Sequence, residues 1–146
     1  MKKFQEYLYE KKVLRKSSDP TEARSLFTQA KERFSDLRHL PLNEKNAQFR
    51  FEDAYEVLRE SLQSFLSLEG YKSYSHEAVF SFALENALLS EAKALKADRY
   101  REIRNDINYR GKKVTEQETK EVITFVRETL DELEKKFQEK ISKKLQ

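Results

Sequence analysis

Apolar residues recur every three or four positions along most of this chain, which is the spacing of one face of an α-helix. The same period predicts helices over about 2–16, 20–39, 44–68, 76–89 and 91–110, and a long last helix after Thr115. We therefore expect an all-α fold, an up-and-down bundle of four to six helices with short connections.

Capping residues support several of these boundaries. Side-chain oxygens suited to the N-cap precede four of the helices: Asp19, Ser75, Ser90 and Thr115. Thr115 and Glu118 form a capping box. Gly70 and Gly111 are natural C-terminal stops because glycine tolerates the left-handed backbone that often ends a helix.

Two helices have unusual patterns. The helix over 76–89 is apolar on nearly all sides, which is typical of a helix buried in its own chain or covered by a partner chain. The first helix, over about 2–16, has a looser apolar stripe, and both a packed and a peripheral position remain open for it.

The composition narrows the possible fold and function classes further. A chain of 146 residues is expected to form one domain over 1–146. With 2 Gly and 2 Pro it lacks the turn residues of a many-stranded barrel and the glycines of phosphate-binding loops. It has no Cys, no secretory signal and no apolar run long enough to span a membrane, so we expect a cytoplasmic protein.

Histidine spacing argues against a metal centre. A carboxylate-bridged dimetal site in a helical bundle needs two Glu-x-x-His pairs. The chain has 2 histidines, His39 and His76, and neither follows a glutamate at that spacing. We expect neither a metal nor another cofactor.

Positive charge is concentrated in one segment. Eight basic and three acidic residues lie between Lys93 and Lys113, a local charge of +5 against +3 for the whole chain. A surface that contacts phosphates and an ordinary solvated helix face both fit this pattern, and the sequence leaves both open.

The same segment contains polar side chains at helical spacing. Apolar residues of this helix are predicted to face the core: Ala92, Leu95, Tyr100, Ile103 and Ile107. Arg104 and Asn108 then lie at the edge of the buried face, and Arg101, Asn105 and Tyr109 form the next row. These groups either bind a ligand by oriented hydrogen bonds or cross-link neighbouring helices.

From the second helix onward the chain resembles a HEPN (higher-eukaryote and prokaryote nucleotide-binding) domain. Three features carry the resemblance. They are the long helix that ends in Leu66–Tyr71, the entry Ser75–Ala78 to a short apolar helix, and the segment Arg104–Tyr109 before a polar loop and a long final helix.

The resemblance implies a specific chemistry. HEPN ribonucleases carry an Arg followed by a His after four to six intervening residues, and the pair cleaves RNA without metal, typically across a dimer groove. Here Arg104 and Asn105 match the start of this motif, but Tyr109 stands where the His is expected. Tyrosine has an unperturbed pKa of about 10 and is a poor base at neutral pH.

We therefore expect a HEPN-like module that binds RNA, a nucleotide or a protein partner such as a minimal nucleotidyltransferase, without catalysis. The resemblance further implies a toxin–antitoxin or defence-type system and a homodimer, which we expect to form through the helix over 76–89 and the Arg104 face. The candidate binding residues are Arg101, Asn105, Arg110, Lys112, Lys113 and His76.

Two alternatives remain at this stage. One is a metal-independent endoribonuclease whose catalytic residues are Arg104, Asn108 and Tyr109, with His76 entering from the neighbouring turn. The other is a helical interaction protein that dimerises and binds no small ligand. On its position near a helix start, His76 is expected to be a partly exposed structural residue.

Overall fold

The computed structural model describes residues 1–145 as six helices and two short strands. In chain order these are α1 (Phe4–Tyr9), β1 (Val13–Arg15), α2 (Pro20–Leu37), α3 (Ala47–Glu69), β2 (Tyr71–Ser73), α4 (His76–Glu85), α5 (Glu91–Arg110) and α6 (Glu116–Lys144). The prediction of a mostly helical bundle is confirmed.

Helix α3 lies at the centre of the bundle and contacts α2, α4, α5 and α6. Apart from Phe49 near its start, its apolar residues are almost completely shielded from solvent: Phe51, Tyr55 and Leu58 are each at most 1% exposed. The apolar stripe of α6, from Val122 to Ile141, is buried as its spacing predicts. A helix covered on this many sides positions the helices that pack on it.

The predicted caps form. The side chain of Asp19 accepts a hydrogen bond from the Glu22 N–H at 2.9 Å, and Thr115 accepts one from the Glu118 N–H at 3.0 Å. Ser75 and Ser90 cap α4 and α5 in the same way. These bonds satisfy N–H groups that the first turn of a helix leaves without partners.

The prediction of one helix over 2–16 is wrong. Helix α1 ends at Tyr9, Lys11 adopts a left-handed backbone with φ 61°, and Val13 then starts strand β1. Strand β1 pairs antiparallel with β2, with Val13 opposite Ser73. The turn at Lys11 reverses the chain so that Val13 becomes 1% exposed, a burial that a continuous helix would not provide.

Helix α1 is also not peripheral. The Phe4 side chain is buried against Tyr71 and Phe82, and its backbone N–H donates to Glu85 at 2.7 Å. Tyr7 is 2% exposed. The N-terminal segment therefore packs against α4, the helix that begins at His76.

Several other boundaries and faces differ from the sequence pattern. Helix α4 stops at Glu85, because Ala87 takes a left-handed backbone (φ 56°) and turns Leu88 and Leu89 into the core as a loop. On α5, Ala92 and Leu95 are exposed, whereas they were expected to face inward. The expected α5 range over 91–110 is correct.

The apolarity of α4 is explained within the chain. All six residues from Ala78 to Ala83 are buried, and α4 contacts α1, α3 and α5. Of the two explanations that the pattern left open, burial in its own chain is therefore the one observed. None of the described helices combines the length and apolarity needed to cross a bilayer.

The two glycines provide a matched stability test. An alanine Cβ at Gly70, where φ is +86°, would lie 2.7 Å from the Lys16 carbonyl oxygen, whereas at Gly111, where φ is +66°, it would meet nothing within 4 Å. We expect Gly111→Ala to lower the unfolding free energy by about 1 kcal/mol through left-handed strain alone. We expect Gly70→Ala to lower it by at least about 2 kcal/mol more, because backbone must also move.

Urea unfolding of both variants beside the wild type measures this difference. Equal losses would contradict the close approach of Gly70 to the segment that follows β1.

Candidate functional site

A shallow cleft of about 250 Å³ lies where the start of α4 meets the second half of α5. Its walls are formed by Ser75, His76, Glu77, Arg101, Arg104, Asn105 and Tyr109. Five of the nine residues predicted from the sequence are therefore brought together, and His76 joins the four from α5 although it is far from them in the chain.

Local structure explains this convergence. On α5, Arg104 and Asn105 lie three and four residues after Arg101, so all three share a face. The short strand β2 connects the end of α3 to the start of α4, and the Ser75 cap sets the first turn of α4 at the cleft. His76 is the first residue of that turn.

The His76 ring is held by a buried tyrosine of α3. The Tyr55 hydroxyl lies 2.9 Å from His76 Nδ1, and the two rings stack with centroids 5.8 Å apart. Tyr55 is 0% exposed, and its hydroxyl has no other hydrogen-bond partner within residues 1–145. A buried O–H without an acceptor is costly, so it donates to Nδ1.

This donation determines the tautomer of His76. A neutral imidazole carries its proton on one nitrogen and accepts at the other. Because Nδ1 accepts from Tyr55, the proton is on Nε2, the nitrogen left for the cleft. His76 therefore presents a hydrogen-bond donor, and not a base, to a ligand.

The surroundings also keep His76 neutral. Burial, together with the positive charges of Arg59, Arg104 and Arg101, lowers the pKa of His76 from 6.5 to about 4, although Glu56 acts in the opposite direction. Burial likewise raises the pKa of the Tyr55 hydroxyl, which keeps the donor protonated.

Arg104 is the most unusual group of the cleft. Its side chain is only 19% exposed, and its ion pairs are long, 3.7 Å to Glu52 and 4.0 Å to Glu56. Its guanidinium lies 5.9 Å from the Tyr55 ring centre, a cation–π arrangement. Its buried Nε–H has no hydrogen-bond partner in the described part of the chain.

Arg101, by contrast, is held in place by acidic side chains. Its Nε donates to Asp98 at 2.8 Å, and its guanidinium lies 3.6 Å from Glu77. Tyr7 of α1 donates to the same Glu77 at 3.2 Å, and burial with the nearby Glu77 charge raises the pKa of Tyr7 to about 12. Glu77 of α4 thus links Tyr7 of the N-terminal segment to Arg101 of α5 at the cleft.

Sequence reasoning missed the residues that α3 contributes. Glu56 receives a hydrogen bond from Arg59 at 2.8 Å; burial alone would raise the pKa of Glu56, but Arg59 lowers it overall. The available signal was the charged set Glu52, Glu56 and Arg59, which lies at helical spacing beside the apolar stripe of α3. Without the structure, the helix that this set faces is unknown.

The other predicted residues lie outside the cleft. Asn108 donates to Glu52 at 3.1 Å and so links α5 to α3. Arg110 is 80% exposed and lies 3.5 Å from Asp106, and Lys112 and Lys113 are exposed in the loop beyond α5. Tyr109 lines the cleft but is 80% exposed, at its open rim.

The arrangement suits hydrogen bonding to an anion better than binding of a metal. Within residues 1–145, no group of three or more His, Cys, Asp or Glu side chains is placed to hold a metal ion. The cleft instead combines guanidinium, imidazole and amide N–H donors from Arg104, His76 and Asn105.

No protein-family model, curated protein or solved structure gives a match to this chain. The resemblance to HEPN domains therefore stays a prediction, and the site is interpreted from its own geometry.

The lowered pKa of His76 predicts a pH-dependent stability. Between pH 6.5 and about 4 the unfolded chain binds a proton at His76 that the folded chain does not. Neutral His76 therefore contributes its full stabilisation of the folded state above pH 6.5, and this contribution is lost as the pH falls towards 4. We expect the unfolding free energy of the wild type to fall by about 1–2 kcal/mol more than that of His76→Gln between neutral pH and the acid end of this range.

Urea titrations at several pH values test this expectation. His39→Gln is the matched control, because it removes the other histidine, which is exposed. Parallel pH profiles for the wild type and His76→Gln would contradict the burial of a neutral His76.

Proposed function

We propose that this chain binds the phosphate groups of RNA or of a nucleotide in the cleft between α4 and α5, and that it does not cleave RNA. The observation that carries the proposal is Arg104, a mostly buried guanidinium with loose ion pairs and an unpartnered Nε–H, in the same cleft as His76.

Phosphate is the ligand that best matches these donors. A guanidinium presents a planar fork of N–H groups that fits two phosphate oxygens, and hydrogen bonds to a charged oxygen are stronger than neutral ones. Arg104, the Asn105 amide and His76 line the same cleft. The first turn of α4 lies there too, and the positive end of its dipole favours an anion.

The acidic partners of Arg104 do not exclude an anion. Glu52 and Glu56 lie 3.7 and 4.0 Å from Arg104, beyond normal hydrogen-bond length, and Glu56 is already bonded to Arg59. A phosphate that approaches from the cleft can therefore take the hydrogen bonds that these carboxylates do not.

Cleavage is disfavoured because the cleft lacks a suitable base. RNA cleavage through the 2′-hydroxyl needs a group that accepts its proton, ideally with a pKa near the working pH. The Nδ1 atom of His76 is occupied by Tyr55, and the pKa of His76 is lowered to about 4. His76 and Arg104 do share one cleft, so the experiment below also tests for endoribonuclease activity.

The HEPN resemblance supports RNA or a nucleotide as the source of the phosphate. A toxin–antitoxin or defence-type setting, and a nucleotidyltransferase as protein partner, are proposals that rest on that resemblance alone.

Loss of Arg104 should weaken binding. We expect Arg104→Ala to reduce affinity for a fluorescent single-stranded RNA oligonucleotide by roughly 10- to 100-fold, the effect of losing charged hydrogen bonds worth about 1.5–3 kcal/mol. Arg104→Lys should recover only part of this affinity, because an ammonium lacks the fork. Fluorescence anisotropy over a salt series measures both, and a nucleoside triphosphate as competitor distinguishes the two phosphate sources.

The matched control is Arg24→Ala, which removes the same charge from an exposed position on α2. Equal weakening by Arg24→Ala would show that only overall charge matters. RNA cleavage in excess EDTA by the wild type, abolished in both Arg104→Ala and His76→Gln, would instead support the endoribonuclease.

Binding should also be insensitive to pH above about 5.5, because His76 acts as a neutral donor throughout that range. A histidine that became cationic at its ordinary pKa of 6.5 would strengthen binding as the pH falls through that value. We expect the same dissociation constant between about pH 8 and 5.5 at fixed ionic strength. A several-fold gain in affinity towards the acid side would refute the neutral state of His76.

A further inference from the structure

A second cavity lies on the other side of α5, away from the phosphate cleft. Helices α5 and α6 both pack on α3 and leave between them a groove of about 580 Å³. Its apolar lining includes Phe51 and Tyr100, which are buried, and Ile103, which is partly buried. Leu95 lines the same groove and is 54% exposed, so this apolar surface continues to the outside of the bundle.

The walls of the groove carry opposite charges. Lys96 and Arg99 line it from α5, and Glu118 and Glu121 line it from α6. None of these four side chains forms an ion pair with another described residue, whereas nearby Lys93 bridges the same two helices. The groove therefore combines an apolar floor with two unpaired charged walls.

We propose that this groove binds a second copy of the chain, with α5 of each copy lying against the groove of the other. Charge complementarity selects this occupant. A two-fold axis turns the basic α5 wall of one copy towards the acidic α6 wall of its partner, so each contact forms twice. Arg99 then meets Glu121 of the other copy, and Leu95 reaches its apolar floor.

This interface differs from the one expected from the sequence. The apolar residues of α4 are buried in their own chain and leave no apolar face there for a partner. Arg99 and Leu95 line the groove, whereas Arg101 and Arg104 line the cleft, so α5 separates the two surfaces. A dimer formed through the groove keeps both phosphate clefts accessible, and its test is independent of the proposed function.

Paired charge reversals test the interface. Arg99→Glu and Glu121→Arg change exposed side chains that make no ion pair within residues 1–145. Each variant alone places like charges opposite one another, and we expect its dimer dissociation constant to rise at least about tenfold. An equimolar mixture of the two variants restores both contacts and should form a heterodimer, measured by sedimentation velocity and native mass spectrometry.

Two further variants complete the design. Arg24→Glu reverses an exposed charge on α2 and should leave the dimer unchanged. Leu95→Glu changes an exposed apolar side chain and should produce monomers without loss of helicity. A wild type that stays monomeric at its highest soluble concentration would overturn the proposal, as would a dimer that the reversals do not weaken or a mixture that does not re-associate.

Discussion

The burial of α3 on most of its sides is the constraint from which the candidate site follows. A helix covered in this way must find partners for its polar side chains inside the protein. Ser61 and Ser64 are short enough to donate to carbonyl groups of their own helix. The Tyr55 hydroxyl stands too far from the backbone to do so, and it reaches the His76 ring instead. The interaction that completes the core thereby also orients the first residue of α4 and sets its tautomer.

Around this bond the cleft carries strong local fields and little net charge. Three guanidinium groups and four carboxylates are interleaved in and beside it: Arg59, Arg101, Arg104, Glu52, Glu56, Glu77 and Asp98. Such a network holds its members in place before any ligand arrives, so an incoming anion meets donors that need little reorganisation. Orientation, more than accumulated positive charge, distinguishes this surface from a simple basic patch. The excess positive charge that the sequence shows beyond α5, at Lys112 and Lys113, lies apart from it.

Much of the fold could be predicted because helix caps and apolar periodicity are local signals. Asp19, Ser75, Ser90 and Thr115 cap helices as their positions indicate. The N-terminal strand could not be predicted in this way, because Val13 pairs with a segment far along the chain. For the site, helical spacing placed Arg101, Asn105 and Tyr109 in one row beside Arg104, and all four line the cleft. The contribution of Tyr55 was not accessible, since a tyrosine within an apolar stripe has the same pattern whether or not its hydroxyl reaches a histidine.

The hydrogen bonds between the N-terminal segment and α4 affect the order in which the chain folds. Phe4 bonds to Glu85 across 81 positions and Tyr7 bonds to Glu77 across 70, whereas α2 and α3 are neighbours in the chain and pack extensively. Contacts between distant positions carry a larger loop-closure entropy and tend to form late. The α2–α3 hairpin is thus the natural folding nucleus, and the wall of the cleft that holds His76 is completed among the last parts. By the same reasoning, we expect the N-terminal segment, which packs on α4 and not on α3, to detach early in partial unfolding, while α3 and the helices around it stay closed.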